Sequence, residues 1–336
     1  MKRLLTILVI ASLCAASAAL GDDLSELQAA IRAKGAHWIA KDNPLWRNRK
    51  DFPRGGLIPG GPYGPENVYS PKTKVDLPAQ FDWRDYNGHN WMTPVKDQGS
   101  QCGGCAAFGA LGAFEPIVKY KNNQPDEDID LSEAHLFFCA GGTCENGILQ
   151  AEVAIYLKTD GVPDEECLPY TGEDQSCDDT CSDWESRAYK VKSWEWVEIP
   201  PGNPADPELI KQAIYEQGPL YAAIELCDDF YAYESGIYEH VTGNCSGTAS
   251  HAVTILGWND TDGYWIGKNS WKIPEDGWWG EDGYFKVKYG QIQVENWLIA
   301  FDYEASSSDD DDGGGGTPSD DDSSGRKEKD EEGCGL

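Results

Sequence analysis

The chain carries 11 cysteines, and their placement limits its fold more than any other feature. Cys14 lies in an apolar N-terminal run and Cys334 near the end of a polar tail, which leaves nine in the globular part. An exported chain keeps disulfides, so eight can pair and one stays a free thiol, although parity does not say which and Cys334 could upset the count. The N-terminus calls for export. Met-Lys-Arg precedes an apolar run, Leu4 to Leu13, too short to span a bilayer, and small residues Ala16-Ser17-Ala18 follow. That is the layout of a removable signal peptide, expected over residues 1–20. Cys14 follows Leu13 rather than the small residue that lipid attachment would want. No other apolar run is long enough to cross a membrane, so the chain is expected to be secreted or extracytoplasmic, without a transmembrane segment.

Four stretches follow from composition. Residues 21–76 hold a short amphipathic piece near Leu24 to Ala33, then Trp38, Trp46 and a Gly/Pro-rich run, too little apolar content to fold alone. Residues 77–304 are dense in aromatic and apolar side chains. Residues 305–336 are an acidic Ser/Asp/Gly-rich tail, expected to be disordered; it is a calcium-binding stretch or a solvated spacer, and composition favours the spacer. The formal net charge of −31 argues against nucleic-acid or anionic-membrane partners, which need clustered Lys and Arg.

In the body, helices are expected over 106–120, 131–138 and 148–158. Another starts at Asp206-Pro207, an N-cap followed by proline, and ends before Gly218-Pro219. Strands are expected at 220–226, 251–258, 264–266 and 284–289. Helices first and strands after imply an α+β fold with two lobes.

Cys102-Gly103-Gly104-Cys105 has three readings: a redox pair, half a zinc site, or one disulfide cysteine beside a separate thiol. Its surroundings favour the last. Cys105 opens the helix Ala106-Ala107-Phe108, where free N–H groups and the dipole lower a thiol's pKa. Gln98 stands a few residues back, where its amide can join the Cys105 N–H at an oxyanion. Of five histidines, His37, His89, His135 and His240 read as prosegment, loop, surface or structural residues. His251 opens a strand after the small and polar run Ser246 to Ser250. Asn269 follows one hairpin later, where its amide can accept from one ring nitrogen and leave the other facing the thiol. Trp271 can shield that hydrogen bond from water.

Asp82-Trp83-Arg84, the Gln98–Phe108 segment, Leu131-Ser132-Glu133, Pro169-Tyr170, His251-Ala252-Val253, the Asn269 segment and Trp279-Gly280-Glu281-Asp282-Gly283-Tyr284 together resemble the papain/cathepsin family, over about residues 77–303. The resemblance implies a two-lobed papain-like fold, with a helical lobe, a β-barrel-like lobe and the active site in the cleft between them. It gives Cys105, His251, Asn269 and Gln98 the roles of nucleophile, base, orienting residue and oxyanion donor in a cysteine endopeptidase working through a thioester acyl-enzyme. No cofactor and no metal are implied. Substrate contacts fall on Asn146, Gly147, Ile148, Leu149 and Trp271, with an apolar residue second before the cut. Disulfides are implied between Cys102 and Cys144 and between Cys227 and Cys245; Cys139, Cys167, Cys177 and Cys181 would make two more, with Cys139–Cys181 and Cys167–Cys177 one pairing among those the sequence leaves open. Peptide or protein substrates are the expected partners of a monomer, and residues 21–76 its inhibitory propeptide. Trp38 and Trp46 would anchor that segment, while Arg47, Arg49 and Lys50 would pair with the acidic body.

Three departures stand out: the extra residue Gln101, Ala106 where the family has an aromatic, and Pro116 with Gly109 and Gly112 in the central helix, which predict a kink. Gln101 and Ala106 keep open a papain-fold protein that binds without cutting, and the Cys102 and Cys105 pair keeps open a disulfide oxidoreductase.

Overall fold

The computed structural model describes residues 23–50, 56–73, 75–273 and 276–305. The expected signal peptide lies outside these residues, as does the expected tail beyond residue 305.

The helix Cys105–Lys121 runs through the middle of the fold, and its residues 105–119 are all buried. A mostly apolar helix can sit there because packing surrounds it, and its buried Glu115 is met by Thr93 and Lys96. Its glycines serve that packing: a β-carbon on Gly112 would stand 2.5 Å from Thr254 Oγ1, and the Thr254 hydroxyl donates to the Gly109 carbonyl at 3.0 Å. The helix continues through Pro116. Beside it lie the helices Glu133–Cys139, capped by the Ser132 side chain, and Gln150–Thr159. The expected start at residue 148 moves because Ile148–Leu149 forms a short strand instead.

Across from the helices, nine strands form one sheet. The long strand Cys245–Asn259 pairs with Leu220–Cys227 on one side and Tyr264–Lys268 on the other. The path runs from His37–Ala40 at one edge to Ser193–Trp196 at the other, and among the described residues it does not close into a barrel. Alternation along Leu220–Cys227 divides the core, as successive side chains point to opposite faces. Leu220, Ala222 and Ile224 join one apolar cluster, with the tryptophans 258, 265 and 279. Tyr221 and Ala223 join the other, with Cys105, Ala106, Phe114 and Phe137. The fold is α+β, with two lobes meeting where the central helix faces the sheet.

The helix Pro207–Glu216 begins as expected, with Asp206 accepting from the Glu208 amide and proline in its first turn. Among the described residues four disulfides form: Cys102–Cys144, Cys227–Cys245, Cys139–Cys177 and Cys167–Cys181. The last two correct the expected pairing. The short turn Cys177–Asp179 packs on the helix that ends at Cys139, and the Cys181 amide donates to the Cys167 carbonyl at 3.2 Å, closing that loop at its base.

The N-terminal segment is laid over both lobes. Residues 23–34 form a helix, and His37–Ala40 pairs antiparallel with Tyr233–Tyr238. Trp38 and Trp46 are buried; Trp38 Nε1 donates to the Glu239 carbonyl at 3.1 Å. The basic residues do not pair as expected: Arg47 bonds Asp42 and Arg49 bonds Asp23, both within the segment. Among the described residues, the ion pairs to the body come from Lys34 with Glu239, Lys41 with Glu234 and Asp276, and Lys72 with Asp302. Lys34 and Lys41 flank the edge strand and so stand beside the body's acids, whereas Arg47 and Arg49 belong to the local turn at Pro44–Arg47.

Candidate active site

Cys105 is the free cysteine among the described residues, buried at the start of the central helix. The cleft around it is lined by Gln98, Cys102, Gly103, Ser250, His251 and Trp271, with Gly56 from the N-terminal segment. His251 sits mid-strand and is 3% exposed. Its Nε2 lies 2.8 Å from Asn269 Oδ1. A carboxamide oxygen only accepts, so Nε2 carries the proton and Nδ1 is left to accept. Asn269 Oδ1 also accepts from the Ser270 amide at 2.9 Å, which fixes the amide's orientation. The Trp271 ring covers the imidazole at 4.7 Å between centroids and stacks on Tyr231, so water is kept from the His251–Asn269 hydrogen bond.

Gln98 is held at both ends. Its amide N–H donates to the Ser270 carbonyl at 3.0 Å, and its Oε1 accepts from the Ser270 hydroxyl at 2.7 Å. Nε2 then points along the loop, with only a 3.5 Å contact to the Cys102 carbonyl. Gln101, the extra residue, is exposed and bonds the Ser100 hydroxyl. Gln101 thus faces solvent while Gln98 lines the cleft. Beneath, Lys268 Nζ donates to the Thr93 carbonyl at 3.0 Å, anchoring the strand end that carries Asn269. Burial, opposed by Glu115, pushes that lysine down to about 8. Lys96 bonds Glu115, Glu133 and Asp130 nearby.

Residues 56–58 occupy the cleft. Leu57–Ile58 pairs parallel with Ile148–Leu149, and the Ile148 amide donates to the Gly56 carbonyl at 3.2 Å. Gly56 fits because it has no side chain: a β-carbon there would stand 1.8 Å from the Gly103 carbonyl oxygen. Leu57 is 4% exposed and belongs to the apolar cluster of Ile148, Ala223, Ala249 and Ala252. About 10 Å³ remains open at the thiol, roughly one water. Burial pushes the Cys105 thiol up to about 11, against hydrogen bonds from the Ala252 and Gly56 backbone. Burial lowers His251 to about 4, with its hydrogen bond to Asn269 acting the other way. Both shifts have the same cause, burial, and both favour the uncharged form of the group.

The other candidates divide. Gly147, Ile148, Leu149 and Trp271 border the cleft or its occupant, whereas Asn146 is exposed and bonds Thr143. His135 and His240 are structural: His135 is fully buried, and His240 Nδ1 lies 2.9 Å from Asp229. Cys139–Cys177 with His135, and Cys227–Cys245 with His240, group metal-ligand types, but bridged sulfurs offer no thiolate. Sequence reasoning missed Ser270 and Lys268; each adjoins Asn269 in the chain, and that adjacency was the available signal.

Residues 77–300 match the family described as papain family cysteine protease. The chain is 36% identical over 226 residues to the pro-cathepsin H of Medicago truncatula, covering 65% of this chain and 59% of that protein. It is 35% identical over 228 residues to the thiol protease aleurain of Arabidopsis thaliana, covering 65% and 58%. The chain thus spans about three-fifths of the length of the curated relatives it matches. Among solved structures it is similar to the digestive procathepsin L2 proteinase of Tenebrio molitor larval midgut, with TM-score 0.68 and 25% identity over 84% of this chain and 89% of that one. The procathepsin B S9 of Trypanosoma congolense shares the fold, with TM-score 0.65 and 21% identity over 84% and 97%.

Proposed function

Because the chain belongs to the papain family of cysteine proteases, we propose that it is a secreted endopeptidase made as a zymogen, cutting peptide bonds with Cys105, His251, Asn269 and Gln98. One observation carries the assignment: the 2.8 Å His251–Asn269 hydrogen bond in the cleft that also holds the free thiol and the Gln98 amide. His251 Nδ1 takes the Cys105 proton, and the thiolate attacks the peptide carbonyl carbon. The oxyanion is held by the Cys105 N–H and Gln98 Nε2. As the tetrahedral adduct collapses, His251 protonates the departing amine and leaves a thioester. Water, deprotonated by His251, then releases the acid and restores the thiol. No step calls for a cofactor.

Residues 21–76 act as inhibitory propeptide, the body runs from 77 to 304, and the protein works as a monomer. The segment holds the site closed by occupying the Ile148–Leu149 edge and by desolvating both reacting groups, which disfavours the thiolate–imidazolium pair. Four disulfides suit an oxidising compartment, and no helix among the described residues is long and apolar enough to cross a membrane. Leu57 stands in for a substrate side chain, so an apolar residue is favoured second before the cut. A thiol-directed affinity label tests the assignment: after removal of the segment it should modify Cys105 far faster than any other cysteine and abolish hydrolysis together. Labelled protein that still hydrolyses peptide would sink the reading, and prompt labelling with no hydrolysis by the unlabelled protein would favour a binder.

A further inference from the structure

Pro169-Tyr170 has no part in the proposed reaction, yet Tyr170 touches both ends of the loop that carries it. Its hydroxyl donates to the Gln98 backbone carbonyl at 3.0 Å. A β-carbon on Gly104, the residue before the nucleophile, would stand 2.7 Å from the same oxygen. The ring meets Phe108 edge-on at 4.9 Å, inside the central helix. Its own base is fixed, since the Tyr170 amide donates to Glu165 Oε1 at 2.7 Å and the Ser132 hydroxyl donates to the Leu168 carbonyl at 2.6 Å.

We infer that Tyr170 is a positioning residue for the oxyanion site, setting the separation between Gln98 Nε2 and the Cys105 N–H; the inference rests on the peptidase reading above. Gln98 is tied to the sheet lobe through Ser270 and to the helical lobe through Tyr170. The loop between Gln98 and Cys105 includes the extra residue Gln101, and an added residue gives the loop slack. The Tyr170 hydroxyl removes that slack at the two points that matter, the carbonyl of the donor residue and the turn leading into the nucleophile. Gly104 has no side chain where one would push the hydroxyl away.

Tyr170→Phe deletes one oxygen and keeps the ring on Phe108. In the full chain processed to remove its N-terminal segment, kcat should fall about tenfold, the effect of one well-placed hydrogen bond, while KM stays within about twofold. Alkylation of Cys105 by iodoacetamide needs no oxyanion donor, so its rate and pH profile should match the parent's. In a Gln98→Ala background the same substitution should change kcat by less than about twofold, because the Nε2 donor it positions is gone. If Gln98→Ala lowers kcat but Tyr170→Phe alone does not, this inference fails and the reading of Gln98 survives. Equal losses in alkylation and hydrolysis would overturn it in favour of a general structural role. If Gln98→Ala itself leaves kcat unchanged, the oxyanion role of Gln98 falls, and this inference with it.

Discussion

Asn269 Oδ1 accepts from both His251 Nε2 and the Ser270 amide, so rotating the amide would lose two hydrogen bonds, and the imidazole stays in the tautomer a thiol needs. Cys105→Ala should therefore abolish peptide hydrolysis while circular dichroism and the unfolding midpoint stay near the parent's; hydrolysis at the parent rate would reject the nucleophile. Gln98→Ala should lower kcat by about 10²–10³ with little change in KM, the usual cost of one oxyanion donor, read from steady-state kinetics. His135 gives a pH effect. It is fully buried with both ring nitrogens unpartnered, and burial lowers it to about 4, against about 6.5 unfolded. The unfolded chain binds the extra proton between those values, so this contribution is complete above about pH 6.5 and lost as pH falls towards 4. His135→Phe should thus lose less urea resistance than the parent between neutral pH and pH 4.5. Cys105 and Asn269 stand out in the sequence by place, a helix start and a position one hairpin on, and His251 by the small and polar run before it, although the strand in fact begins earlier, at Cys245. Tyr170 was legible only as part of a resemblance, since its contact to Gln98 spans 72 residues.

The elements that were legible carry their signals locally. Asp206-Pro207 and Gly218 bracket a helix, and apolar runs mark the strands at 220 and 251. Pro116, Gly109 and Gly112 weaken the helix in the sequence, yet it runs unbroken from Cys105 to Lys121. Gly109 and Gly112 read as weaknesses in the sequence, whereas in the fold they let the helix approach Ala252 to Thr254. Gly112→Ala should thus destabilise despite alanine's better propensity, by about 1–3 kcal/mol, the range for overpacking. Thr254→Ala should relieve the clash, so the double variant should lose less than the two single losses combined in denaturant unfolding. Additive losses would mean the helix and strand do not meet there. The strands His37–Ala40 and Tyr233–Tyr238 escaped notice because their partners lie almost 200 residues apart in the chain, and neither has turn chemistry joining it to its partner.

Across the whole molecule, the N-terminal segment reaches the cleft at Gly56, which stands hard against Gly103. Gly56→Ala would drive a β-carbon into the Gly103 carbonyl, so the loop must lift. The full-length variant should react with iodoacetamide at Cys105 well before any processing, while the parent stays protected; equal protection would show that latency does not depend on this contact. That the segment anchors on the body is readable from Trp38 and Trp46, both buried, but its ion pairs are not, because which lysine meets which carboxylate depends on the strand His37–Ala40. That strand has a further consequence. It forms one end of the sheet, so its departure bares the amides and carbonyls of Tyr233–Tyr238 along a ready template for another chain. The zymogen would then be the better-behaved colloid and the processed form the one prone to edge-to-edge association, with the acidic surface left to keep neighbouring molecules apart.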